Sequence, residues 1–541
     1  MRSLASIGVT FVALLLSLGA SGAAWGFLAG ALVAPVSIRQ TSRICGASMS
    51  RLVNVPVKVL LAIAVSLTAY SLLVRVAPGG PVSAFAAATF CAMIFLGISA
   101  GLNAGAICHS IEPVVQQGRI GKTLIPMLYF VRWLLSLRER ARLLWFSQTM
   151  RVAIACTHQS NATRDKVLVV PADTSDLAGS LGDEVLLQGL DNLVGSSRWA
   201  LIVDEGFHGS SPVPDQRLFP AWNGLTAGWR LGRVAARLSA VYVVGADVMD
   251  GFYRPEVSQK RLRLLNRISR AGVPCTLTGL SFNECPHPRV LADFRDLPDS
   301  VRICLRDPVS LERFERLTGR HAILTADLAF LVGEAQHSPV AKLVSPWAAK
   351  ERDAGRRLVG INIGPHVVAH LSDGSEDALA DSVATCCLRL ISEGYGIVLI
   401  PHDFRPSHTD LRALKRVAGR LAGSAHFLFL EDPFTGREIR SACRELDLIL
   451  SARMHLAIGA LSVGVPACGI QYQGKFEGLL RHFGFGADVF IAPEDAMDST
   501  KLHRFMIHQL DRLAEMRAQV EGRLPAVCAL AALNTAVTYH E

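Results

Sequence analysis

Arg453 and His455 stand two residues apart in Ser451-Ala452-Arg453-Met454-His455, and Tyr472 and Lys475 follow the turn Gly464–Pro466. An arginine, an imidazole and a lysine at this spacing are suited to holding a small anion beside a proton donor near neutral pH. The apolar run Leu456–Val463 predicts a helix that starts at the Arg–His pair. Its first N–H groups have no partner within the helix and lie at the positive end of its dipole, which adds to the anion site. Ala467–Gln471 then reads as a short strand that delivers Lys475 to the same end.

Elements that must position these residues recur from Lys166 onward. Short β-rich runs are expected at Val167–Val170, Leu201–Val203, Val241–Val244, Pro274–Leu280, Val301–Leu305 and Ile323–Leu324, with helices such as Glu184–Val194 and Glu256–Ala271 between them. A turn is expected at Gly179–Asp183, and an irregular linker at about His337–Arg357. A second series follows, with strands at Leu358–Ile363, Gly396–Ile400, Ala425–Leu428 and Leu446–Leu450, and helices at Glu376–Glu393 and Gly436–Ala442. Alternation of this kind implies two doubly wound α/β domains, with ligands at the carboxyl ends of the strands. The expected division is 1–110, a membrane region; 111–165, a basic amphipathic juxtamembrane linker; 166–345 and 346–500, two Rossmann-like domains; and 501–541, a helical extension.

The membrane reading rests on charge. No charged residue lies between Arg2 and Arg39, and Val59–Val74 and Val76–Cys108 are also free of charge. About 20 apolar residues suffice to cross a bilayer, so three or four helical spans are expected. An uncleaved anchor fits better than a cleaved signal peptide, because further apolar runs follow the first. Arg39, Arg43, Arg51 and Lys58 precede any acid, and Arg119, Lys122 and Arg132 follow the last run. By the positive-inside rule the large remainder is expected in the cytoplasm, at the inner membrane, with membrane lipids as partners. Thr123–Met150 alternates apolar blocks with arginines and reads either as a helix lying on the membrane or as one packed in the fold. The net charge of +9 has no zinc-knuckle or aromatic RNA-binding pattern beside it, so nucleic acid is not expected. The twelve cysteines lack a Cys-x-x-Cys pair and suggest buried thiols, with no metal site.

The Arg453–Pro466 segment resembles the polysaccharide pyruvyl transferase family, and four other elements carry the same resemblance. They are Leu181-Gly182-Asp183-Glu184, Arg306-Asp307-Pro308-Val309-Ser310, Thr325-Ala326-Asp327-Leu328-Ala329-Phe330 and Ile400-Pro401-His402-Asp403. The resemblance covers about residues 166–490 and implies a glycosyltransferase-B-like pair of Rossmann domains. It also implies transfer of pyruvate from phosphoenolpyruvate, a co-substrate, to sugar hydroxyls of a glycan or lipid-linked saccharide as a cyclic ketal. No cofactor is implied. His455 is then the acid/base, Arg306 and Arg453 are anion clamps, and the Met454 N–H and Lys475 are further donor contacts. Gly182 and Asp183 are placed on the substrate side, and His402 and Asp403 at a solvated strand end. Val244-Gly245-Ala246-Asp247 departs from the family pattern, since Ala246 and Asp247 replace expected glycines and Asp247 adds a negative charge near the cleft. Two rival readings stay open: a nucleotide-sugar glycosyltransferase on the same fold, and a membrane-anchored glycan-assembly component without turnover.

Overall fold

The computed structural model describes residues 125–157 and 164–535, apart from positions 178, 196–198, 206, 208, 210, 214–216, 253, 336, 370, 373, 406–408 and 472–474, and without the side chains of residues 125–138 and Lys475. The expected membrane runs within 1–110 lie outside the described residues. Among the described residues no helix is long and apolar enough to cross a membrane. The chain divides into two compact units, Met1–Arg142 and Leu143–Glu541, and the second holds the architecture below.

Two all-parallel sheets form that unit. The first runs β1 (Lys166–Val170), β2 (Trp199–Val203), β3 (Arg217–Pro220), β4 (Leu238–Ala246), β5 (Cys275–Leu280), β6 (Val301–Leu305) and β7 (Ile323–Leu324). Its spatial order is β3-β2-β1-β4-β5-β6-β7. The second has β8 (Arg357–Asn362), β9 (Tyr395–Leu399), β10 (Phe427–Phe429), β11 (Leu448–Ser451), β12 (Ala467–Ile470) and β13 (Phe490–Ile491), in the order β10-β9-β8-β11-β12-β13. Strands such as β8 and β11 are short, apolar and buried nearly end to end, as expected where helices cover both faces. Strand order reverses at β1/β4 and at β8/β11, the switch points where open α/β sheets bind ligands.

The helices that matter to function are α1 (Ile125–Thr157), α2 (Leu181–Val194), α3 (Ala227–Val234), α4 (Pro255–Ser269), α5 (Pro288–Arg295), α6 (Pro308–Thr318), α7 (Pro339–Asp353), α8 (Ser375–Ser392), α9 (Leu411–Leu421), α10 (Gly436–Cys443), α11 (Met454–Leu461) and α12 (Lys475–Arg481). Three more, α13 (Pro493–Ala496), α14 (Ser499–Asp511) and α15 (Leu513–Ala532), close the chain. From Leu143 on, α1 is a packed element: Phe146, Met150 and Ala153 are buried. Gly228 and Gly232 of α3 let the two helix backbones touch, because a Cβ at either would fall 2.2 Å from the Phe146 carbonyl oxygen or 2.6 Å from that of Met150. The segment expected as a linker at His337–Arg357 is mostly the helix α7, whose Val340, Val344 and Ala348 face the core. Its charges and the internal Pro346 hide this spacing in the sequence. The turn expected at Gly179–Asp183 is shorter, since α2 begins at Leu181 and takes Gly182 and Asp183 into its first turn.

The two sheets are fastened together at several points. Ser180 and Asp403 form an antiparallel bridge, with Leu181 N–H on the His402 carbonyl at 3.3 Å and Phe404 N–H on the Gly179 carbonyl at 2.9 Å. After the second sheet, α15 brings Asn534 back to the first, where its amide accepts from Gly279 N–H at 2.8 Å and donates to the Ala326 carbonyl at 2.8 Å.

The end of β4 makes a local test. Ala246 holds φ +45°, a region an L side chain adopts at a cost of roughly 1–2 kcal/mol. Gly245 beside it has no room for a side chain, because a Cβ would lie 2.5 Å from the Thr278 carbonyl oxygen and 2.5 Å from Leu280 Cβ. Gly245→Ala should therefore destabilise the fold by about 2–3 kcal/mol through overpacking. Ala246→Gly should stay within about 1 kcal/mol of the parent, since relief of the positive φ offsets the greater chain entropy of glycine. Chemical denaturation of both variants measures the difference, and equal effects would contradict the geometry.

Candidate active site

Three loops at strand carboxyl ends build the site. After β11 the chain turns at Arg453, the N-cap of α11, so Met454 and His455 occupy the first helical turn. Ser451 fixes that turn, its hydroxyl donating to the Arg453 carbonyl at 2.7 Å and accepting from Arg453 N–H at 3.1 Å. After β1, α2 starts at Leu181, capped by the Ser180 hydroxyl on Asp183 N–H. After β7, Asp327 opens the turn Leu328–Leu331 by accepting from Ala329 N–H at 2.9 Å.

His455 stands where these loops meet. Its Nε2 lies 3.5 Å from Asp327 Oδ2 without hydrogen-bond geometry, since Nε2 is buried and unpartnered. Its other face rests on Gly182, where a Cβ would come within 2.4 Å of Nδ1. Glycine at 182 is thus required by the imidazole that packs on it. Asp327 is 2% exposed and shared, as Arg306 also donates to its Oδ2 at 2.8 Å. Burial opposes the charge on Asp327, but His455 and then Arg306 outweigh it and hold the carboxyl well below the usual range.

The arginines expected as clamps are both engaged by carboxylates. Arg306 is buried, with Nε on the Ser281 hydroxyl at 2.7 Å and NH1 on Asp327. It supports the imidazole's neighbour from beneath and does not present a free charge to an open cleft. Arg453 meets Asp410 through Nε at 3.0 Å and NH2 at 2.7 Å, and Asp403 through NH1 at 3.2 Å. Asp410 is itself held by Asn362 and by His402 N–H, and burial raises its carboxyl despite Arg453. His402 and Asp403 are 5% and 1% exposed, so the solvated strand end expected there is in fact interior. Burial, followed by the charges of His455 and Arg453, lowers the His402 imidazole well below its ordinary value.

Asp183 lies on the α2 side of the imidazole. Burial pushes its carboxyl up to about 6; Arg405 and His455 act against the rise, while Asp173 and Asp247 add to it. The negative charge of Asp247 thus reaches the cleft. Arg405 spans the junction, binding Asp403 at 2.6 Å and approaching Asp173 at 3.6 Å and Asp183 at 3.9 Å. Lys475 opens α12, and its side chain lies outside the described residues. Farther along that helix, a Cβ at Gly478 would meet the Asp307 carboxylate, and just beyond it His482 Nε2 lies 2.9 Å from the Arg306 carbonyl. The helix therefore sits against the start of α6. Arg405, Asp410 and Asp327 are members to which the sequence assigns no role. Their one signal is position beyond a strand end, which many structural polar residues share.

Among the described residues no group of three His, Cys, Asp or Glu side chains could hold a metal ion. The chain belongs to the polysaccharide pyruvyl transferase family, whose model matches residues 138–474. A search of curated proteins finds no match. Solved structures similar to it include a Staphylococcus aureus protein bound to UDP (12% identity, 68% of this chain, 94% of that one, TM-score 0.44). An Anabaena protein in complex with UDP and glucose is 14% identical over 68% of this chain and 96% of that one, with TM-score 0.42. A UDP-GlcNAc 2-epimerase from Neisseria meningitidis is 9% identical over 68% of this chain and 100% of that one, with TM-score 0.41.

Glu184 offers a stability test at the domain junction. Its Oε1 accepts from Gly436 N–H at 3.2 Å, at the head of α10, and from Gln188 at 2.9 Å. Burial nevertheless pushes the carboxyl up to about 7 from 4.5. An acid whose folded value is raised contributes fully below its unfolded value, and that contribution is lost as pH rises through the folded one. Glu184→Gln keeps an acceptor for Gly436 and removes the buried charge. It should stabilise the protein by about 2 kcal/mol above pH 7 and by nothing near pH 4. Denaturation midpoints at the two pH values check this, and a gain that persists in acid would refute it.

Proposed function

We propose that this member of the family moves pyruvate from phosphoenolpyruvate onto two hydroxyls of a glycan sugar as a cyclic ketal, releasing phosphate. The observation that carries the reading is His455 at the head of α11, with Asp327 on one side and Gly182 on the other. His455 in its protonated form delivers a proton to the donor's methylene carbon, leaving an oxocarbenium-like carbon that the first hydroxyl attacks. That hydroxyl's proton restores His455. The second hydroxyl displaces phosphate, which carries the second proton away. Asp327 stabilises the imidazolium before transfer and, with Arg306 locked on its other side, holds the ring in register.

In this reading the donor's anionic groups sit against the Met454 N–H, the outer edge of Arg453 and Lys475. Gly182 and Asp183 face the acceptor, with Asp183 near enough to neutral to take or give a hydroxyl proton. Because Arg306 is committed to Asp327, its part in donor binding runs through that carboxylate. The acceptor is a glycan or lipid-linked saccharide of the cell envelope or exopolysaccharide. The charge-free runs before Cys108 anchor the chain in the inner membrane, with the α/β unit in the cytoplasm, where phosphoenolpyruvate is made.

His455→Ala should leave phosphoenolpyruvate binding nearly intact while single-turnover pyruvyl transfer falls about 10²–10⁴-fold. Near-normal turnover would make the histidine structural. Arg453→Ala behaves differently, because it strands the buried Asp410 and should cost about 3–5 kcal/mol of stability. Donor affinity must therefore be compared by calorimetry at a temperature where the variant is folded, and unchanged affinity there would remove Arg453 from the donor site. Phosphate release from phosphoenolpyruvate on adding acceptor separates this chemistry from glycosyl transfer. A reporter fused after Glu541 should be active only in a cytoplasmic format, and activity in a periplasmic one would overturn both location and donor.

A further inference from the structure

A second charged feature lies away from the catalytic loops. Between α1 and α4, backed by α5, is a groove of about 990 Å³ whose lining includes Arg151, Arg263, Arg267 and Arg270. Two aspartates answer two of these charges, at 3.8 Å for Arg263–Asp293 and 3.7 Å for Arg270–Asp296. Arg267 donates through Nε to the Ser147 hydroxyl at 2.9 Å, a neutral partner, and feels Asp296 only at a distance. Among the described residues neither Arg151 nor Arg267 has a carboxylate partner. Partial burial, then Arg151 and Arg270, depress the Arg267 guanidinium, so the positive charges are close enough to repel one another.

Beside the arginines, one stripe of α1 is apolar and bare. Leu144, Trp145 and Val152 are 57%, 55% and 53% exposed, and the Trp145 N–H is satisfied by the Leu225 carbonyl at 2.8 Å. Leu225 and Trp229 extend the exposed apolar surface. An indole with its N–H bonded and its ring bare, on the flank of the helix that carries Arg151 into the groove, matches the boundary between headgroups and acyl chains.

We propose that this face of α1 and α4 docks on the anionic phospholipid surface of a bilayer, with Arg151 and Arg267 on lipid phosphates and Trp145 at the acyl boundary. The proposal uses none of the donor chemistry, so its failure and that of the pyruvyl transfer reading are separable. The test places the full chain in nanodiscs of brominated phosphatidylcholine, with or without phosphatidylglycerol, and reads tryptophan quenching. Subtracting the Trp145→Phe protein isolates the signal of Trp145. That signal should be quenched much more in anionic than in neutral discs. Arg151→Gln and Arg267→Gln should each weaken the lipid-dependent component roughly fivefold, the usual worth of a basic residue at such a surface. Quenching that ignores lipid charge or the arginines would overturn the proposal. So would its loss on adding inorganic pyrophosphate at constant ionic strength, which would make the groove a site for a soluble polyanion.

Discussion

A buried carboxylate shared by an arginine and a histidine organises the candidate site of this molecule. Asp327 belongs to the loop after β7, Arg306 to the turn after β6 and His455 to a helix of the second sheet. Burial alone would neutralise Asp327, and a neutral aspartic acid would have no reason to stand against an imidazole in another domain. The imidazole of His455 and the guanidinium of Arg306 outweigh that burial and keep the carboxyl ionised. Removing Asp327 would leave Arg306 without its carboxylate, and removing Arg306 would leave Asp327 facing the imidazole alone, so this carboxylate ties the two sheets together. Gly182 completes the constraint from the far side, since only a residue without a Cβ lets α2 approach the ring so closely.

The same logic explains why free guanidinium clamps are absent from the site among the described residues. An arginine left unpaired in the interior would carry a desolvation penalty in every unliganded molecule. Arg453 avoids it with Asp410 and Asp403, and Arg306 with Asp327. A small anion arriving here competes with carboxylates already in place. Among the described residues the Met454 N–H at the head of α11 has no such competitor, so the backbone offers an anion a contact that the side chains do not. Asp183, raised to about 6 by burial, adds little repulsion in its neutral form and more once ionised.

Much of the fold was legible in the sequence. Short apolar runs between glycine turns located most of the strands, and β6 and β7 begin and end at the expected residues. The edge strand β3 was not legible, since Arg217–Pro220 is neither alternating nor apolar throughout. The helix α7 was hidden by its charges and Pro346, because its apolar face needs only one residue per turn. At the site, residue types and order placed His455 and Arg453 on the right helix start. Pairing could not be read: nothing local in Ala326-Asp327-Leu328 says that the carboxylate meets residues 21 positions before it and on another sheet. Nor does Asp410, at the start of α9, announce Arg453 as its partner.

The two charged features also differ in where the sheet puts them. The loops of the candidate site all follow carboxyl ends of strands, which in a parallel sheet share one edge. The arginine groove runs along α4 toward Arg270 and Ala271, just before β5 begins, and Arg164 just before β1 reaches the Gly272 carbonyl there at 2.9 Å. That is the opposite edge of the same sheet. The groove begins at Leu262, midway along α4, and opens away from the loops that carry Asp183 and Asp327. A molecule seated on lipid through the groove would hold its cleft clear of the headgroups.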